Sequence, residues 1–173
     1  MPLGLRRDAT WLIVPAADGH REEFTMGKAE PLKDLLRRKK KEGGERDRTV
    51  EKEAWLAAID ALYSDVERWL KPSISDGVAK VQRRQVTMTE RHLGTYRAEE
   101  LVIDAGGSKV RFKPVALHVV GATGRVDILG ADDSVRLMRL GPERGWCASL
   151  GPGEPYLFPF TKEEFTAILE RLL

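Results

Sequence analysis

KVRFKPVALHVV (109–120), GATG (121–124), RVDIL (125–129), GADDS (130–134) and VRLMRL (135–140) follow one another without interruption. In these runs apolar side chains alternate with charged ones, and each run ends at a glycine-containing turn. A period of two places successive side chains on opposite faces of a pleated strand. Short strands at this spacing predict an antiparallel meander, a roll or a small barrel. The first run carries an irregularity. Before Pro114 the apolar positions are Val110 and Phe112, and after it they are Val115, Leu117 and Val119. The phase slips by one, so a bulge or sharp bend belongs at Pro114, which cannot donate to a ladder.

The pattern extends both ways. Upstream, Val86, Met88 and Glu90 alternate with Thr87 and Thr89. A run from Tyr96 to Asp104 precedes the turn Ala105-Gly106-Gly107. Downstream, Gly141–Gly145 leads into Trp146–Leu150, and Gly151–Pro155 into Tyr156–Phe160. About seven strands are expected between residues 78 and 160. A helix at Lys162–Leu173 should follow. Thr161 and Glu164 have capping-box spacing, and Phe165, Ile168, Leu169 and Leu172 form an apolar stripe.

Before the strands, Trp55, Ile59, Leu62, Val66 and Trp69 recur at spacings of three and four, which predicts a helix over Val50–Leu70. Lys71-Pro72 should close it. A shorter helix is expected at Pro31–Lys41, ended by Gly43-Gly44, with Glu42–Arg48 as a charged linker. Trp11–Val14 suggests a strand within Thr10–Ala16. The expected fold class is α+β. An antiparallel bent sheet or partial barrel of about seven strands is covered by two amphipathic helices, and a basic N-terminal arm precedes it. Residues 1–48 form the arm and 49–173 the core domain. The order of residues 80–173, a meander followed by one C-terminal amphipathic helix, resembles pleckstrin-homology-like domains. The resemblance rests on topology without shared motifs, so it implies a fold and no function.

Composition narrows the class. Of 173 residues 42% are hydrophobic, too many for a wholly disordered chain. One cysteine, Cys147, excludes a disulfide scaffold. The apolar runs fall far short of the ~20 residues that span a bilayer. The stretch Trp11–Val14 is too short for a secretory signal. The expected location is therefore the cytoplasm, in a bacterium, without membrane contact. The net charge is +2, unevenly spread. Residues 1–48 carry 12 basic and 9 acidic side chains, and residues 49–173 carry 17 and 18.

Catalytic signatures are weak. His20, His92 and His118 lie far apart and Cys147 stands alone, so no spacing suggests a metal site, and no cofactor is expected. Gly121-Ala-Thr-Gly124 lacks the lysine and following helix of a phosphate loop. A metal-dependent nuclease would need acids on neighbouring strands beside a lysine, and Asp104, Asp127 and Lys113 are the residues available. Asp127, flanked by Arg125, reads better as half of an outward-facing ion pair.

The sharpest feature is the run Arg37, Arg38, Lys39, Lys40 and Lys41. Five successive cations can neutralise phosphates and release counterions. Lys109, Arg111 and Lys113 should project from one sheet face and add a second basic row. Arg83, Arg84, Arg136 and Arg139 are candidates to extend it. Trp55, Ile59, Leu62, Val66 and Trp69 would be a partner-docking face if the sheet covers that helix only in part. The expected function is a non-catalytic interaction module, an accessory or regulatory subunit that binds a protein partner or a second copy. The first alternative is a nucleic-acid-binding accessory protein using 37–41, and the second is the nuclease.

Overall fold

The computed structural model describes residues 32–141, 143–149 and 156–173. The strand expected at Thr10–Ala16 and the turn at Gly151–Pro155 lie outside them. The order is α1 (Leu32–Ser75), β1 (Ala79–Glu90), β2 (Gly94–Ala105), β3 (Ser108–Ala116), β4 (Arg125–Leu129), β5 (Ser134–Arg139), β6 (Trp146–Ser149), β7 (Phe158–Pro159) and α2 (Lys162–Leu172). The fold is α+β. The seven strands pair in sequence order, each antiparallel to the next, and the sheet stays open between β1 and β7. Among the described residues no helix is long and apolar enough to cross a membrane.

The irregularity at Pro114 is a register shift between Pro114 and Ala116 in the β3–β4 ladder. Beyond it β3 ends at Ala116, so His118 lies in a loop and not in the strand expected there. The β2–β3 turn has Gly106 at φ 62° and Gly107 at φ 93°. Two successive positive φ angles match the twist of a tight hairpin, and glycine reaches them without strain.

One helix replaces the expected two. α1 runs through 44 residues, and Glu42–Arg48 is helical rather than a linker. A glycine in an exposed helix costs about 1 kcal/mol relative to alanine but does not forbid helical angles. One contact across the pair and two just beyond it accompany the continuous helix. Lys41 reaches Glu45 at 4.0 Å, Arg48 Nε donates to the Gly44 carbonyl at 3.0 Å, and Thr49 Oγ1 donates to the Glu45 carbonyl at 3.0 Å. Nor does the helix stop at Leu70. Pro72 lies in its last turn, and the end comes where the Val78 and Gly77 N–H groups donate to the Ser73 and Ile74 carbonyls at 3.0 and 3.1 Å. That is the Schellman arrangement.

The core lies between the sheet's inner face and the two helices. α1 contributes Trp55, Ile59, Leu62, Tyr63, Val66 and Leu70, and α2 contributes Phe165, Ile168 and Leu172. From the sheet come Leu101, Ile103, Val110, Phe112, Val126, Ile128, Val135 and Leu137. Burying each large side chain contributes roughly 1.5–3 kcal/mol. Tyr63 fixes the helix to the sheet with polar contacts as well. Its hydroxyl lies 2.8 Å from the Phe112 carbonyl and 3.0 Å from the Glu99 carbonyl. Burial pushes its pKa well up, so the phenol stays protonated and can donate. Thr161 caps α2 by accepting from the Glu164 N–H at 3.3 Å, and Arg171 near its C-terminus meets Asp133 at 2.5 Å.

Candidate nucleic-acid interface

The helix face Trp55, Ile59, Leu62, Val66 and Trp69 is covered. Trp55 and Val66 are fully buried, and Ile59 and Leu62 are 2% exposed. Trp69 is half-buried between Phe160 and Phe165, at ring-centroid distances of 5.6 and 5.5 Å. The sheet and α2 already take this face, which leaves no docking surface there.

The first part of α1 is placed differently. Every residue from Leu36 to Val50 is exposed, and the first buried residue is Trp55. Arg37, Arg38, Lys39, Lys40 and Lys41 therefore sit on a helical arm that stands clear of the core. Successive helix residues are about 100° apart, so five in a row surround the axis. Several of them pair with acids of the same helix. Arg37 lies 3.7 Å from Asp34, Arg38 3.6 Å from Glu42 and Lys39 3.4 Å from Glu42. Exposed pairs of this kind contribute less than about 1 kcal/mol.

The outer sheet face holds the second array. Lys109, Arg111 and Lys113 are exposed and alternate with the buried Val110, Phe112 and Pro114. Register extends the face sideways. Lys80, Asp104 and Lys109 lie in one row, and Lys113, Asp127 and Arg136 in another. Arg84 lies opposite Glu100. With Arg125, seven cations (Lys80, Arg84, Lys109, Arg111, Lys113, Arg125, Arg136) share this face with three carboxylates (Glu100, Asp104, Asp127). Arg125 is partly spent, since its guanidinium grips Asp127 through two bonds of 2.7 Å. That contact raises the Arg125 pKa.

Arg83 and Arg139 do not join the row, because both side chains lie on the helix-facing side of the sheet. Arg83 meets Asp60 at 2.5 Å, Glu67 at 2.8 Å and Glu99 at 3.4 Å. The bond to Glu67 leads in holding its charge, and its pKa is raised. Arg139 borders a small cavity of about 240 Å³ with Glu51, Trp55, His118 and Thr123.

That cavity holds what sequence spacing missed. His118 Nε2 lies 3.5 Å from Glu51, and the His92 ring is 5.8 Å from the His118 ring, edge to face. Twenty-six positions separate the two histidines, and the β1–β2 turn and the loop after β3 bring them together. Below them Trp55 Nε1 donates to the Tyr96 hydroxyl at 3.1 Å, Tyr96 bonds Glu90, and Glu90 accepts from the Leu117 N–H at 3.0 Å. Burial, then the contact with Glu90, pushes the Tyr96 pKa up. This chain of bonds joins α1 to the loop. Among the described residues no three His, Cys, Asp or Glu side chains form a cluster able to hold a metal ion.

The nuclease geometry does not assemble. Asp104 is level with Lys109 and Asp127 with Lys113. Four residues along β3 separate them by about 13 Å, and two strand spacings add about 10 Å across the sheet. Cys147 is buried, with Sγ 3.9 Å from the Arg144 carbonyl, as a small hydrophobe would be. No family model, curated protein or solved structure matches the chain.

Proposed function

We propose that the protein is a non-catalytic interaction module whose partner is a nucleic acid. The observation that carries this reading is the arm, a helix free of the core with five successive cations around its axis. A flat acidic protein surface would meet only two or three of them. A nucleic acid presents phosphates on more than one side of an inserted helix. The basic outer face of the sheet supports the same reading with a second field of the same sign.

A protein partner is the second reading, and Leu32 and Leu36 favour it. They are 69% and 58% exposed, one turn apart near the start of the arm. Such a pair suits a shallow apolar groove.

Fluorescence anisotropy with labelled DNA and RNA of mixed sequence separates the two. The expected result is binding that weakens with salt and is lost when Arg37, Arg38, Lys39, Lys40 and Lys41 are changed to glutamine. Equal binding by the variant, or none by the wild type at low salt, would move the partner to protein.

A further inference from the structure

Nucleic acids differ in the shape they offer a helix, and the arm's shape discriminates among them. Fifteen residues, Leu36–Val50, are exposed on all sides. At 1.5 Å per residue they form a rod about 22 Å long and about 10–12 Å wide with side chains. From this we infer that the arm enters the major groove of B-form duplex DNA as a helix, an inference that rests on the nucleic-acid reading above.

Three observations lead there. The B-form major groove is about 12 Å wide and admits one α-helix, with phosphates along both walls. Cations pointing both ways from the rod, as Arg37 to Lys41 do, each find a wall. The major groove of an RNA duplex is too narrow and deep for side chains to read, and its wide groove favours surfaces over rods. Single strands are held by aromatic platforms. From Leu32 to Ala54 the arm has no aromatic residue, and none projects from the outer face of β3, β4 or β5. The exposed Tyr156 and Phe158 belong to β7 and its approach.

The glycine pair provides an independent handle. A Cβ added at Gly43 or Gly44 would meet nothing within 4 Å. Alanine therefore fits both positions and favours helix over coil by about fivefold in equilibrium constant at each, the equivalent of about 1 kcal/mol. If the bound form is helical, a better-formed helix binds more tightly. If the arm binds extended, the same change weakens binding.

The test uses the full chain with three labelled probes of mixed sequence: a DNA duplex of about two helical turns, its single strand, and an RNA duplex of equal length. The expected order places duplex DNA about tenfold or more ahead of both others, and Gly43→Ala with Gly44→Ala should bind duplex at least as tightly as the wild type. Equal affinity for the single strand or the RNA duplex would overturn the groove assignment and leave the nucleic-acid reading standing. Weaker duplex binding by the alanine variant would overturn the helical mode. Failure of all three probes to bind at low salt would remove both the inference and the reading beneath it.

Discussion

Changing Arg37, Arg38, Lys39, Lys40 and Lys41 to glutamine should flatten the salt dependence of DNA binding by an amount the structure brackets. Each phosphate neutralised contributes about −0.9 to the slope of log affinity against log salt. If all five cations turn to phosphates, the arm contributes a slope of about −4.5, or roughly a 500-fold loss between 50 and 200 mM salt. If Asp34, Glu42 and Glu45 each keep one cation, two remain. The slope is then about −1.8 and the loss about 12-fold. The larger figure is favoured, because exposed pairs of this length are worth less than about 1 kcal/mol. Glutamine is nearly as good a helix former as lysine or arginine, so the variant should keep its arm. Far-UV circular dichroism checks that point. Anisotropy titrations at four or five salt concentrations give both slopes. A variant slope equal to that of the wild type would refute the reasoning, since the cations would then contact no phosphate. A difference above the upper bracket would refute it too, because a neutral arm would be disturbing contacts elsewhere.

Three further outcomes test how the fold is held together. Tyr63→Phe removes the hydroxyl that meets the Phe112 and Glu99 carbonyls. It should destabilise by about 1–3 kcal/mol in urea unfolding with the slope of the transition unchanged. Gly124→Ala should cost at least about 1–3 kcal/mol, because the new Cβ would lie 2.3 Å from the Trp55 ring at a φ of +152°. Asp133, bonded first by Arg171 and then by the Ser134 N–H, has a carboxyl pKa held below its ordinary 3.8. A lowered folded-state pKa contributes stability above the ordinary value and loses it as pH falls through the folded one. Arg171→Ala should therefore reduce the dependence of thermal midpoint on pH below about 4 and leave it unchanged near neutrality.

Much of the fold is legible in the sequence because its signals are local. The alternation in β3, β4 and β5 survives in their burial patterns, and the phase slip at Pro114 marks the bulge to within two residues. Thr161 caps α2 where its spacing with Glu164 places it. Misreadings arise where a local breaker is outweighed. Gly43-Gly44 and Pro72 are strong punctuation by propensity, yet α1 passes through both. At the glycines, Lys41 and Glu45 lie 4.0 Å apart across the gap. Near the proline, the helix has already buried Trp55, Ile59, Leu62, Val66 and Leu70 and needs only one more turn to reach its cap. A propensity cost of about 3 kcal/mol for a helical proline cannot decide against packing of that size.

The candidate site divides along the same line. Lys109, Arg111 and Lys113 share a face because alternation is a property of one strand, so the sequence suffices to place them. Sorting Arg84 and Arg136 from Arg83 and Arg139 requires the register of other strands and the position of α1. Arg83 illustrates the difference. Its neighbour Arg84 faces outward with the cations, while Arg83 meets Asp60 and Glu67 of the helix and Glu99 of β2. A one-residue shift along β1 turns a solvent-facing charge into a structural one. The carboxylates that decide its role lie 16 to 23 positions away in sequence. The arm is the converse case. Its cations are obvious in the sequence, and what the structure adds is that nothing in the described core draws them inward. The continuation of α1 past Gly43-Gly44 to Ser75 then distinguishes a basic helix end from a basic rod able to enter a groove.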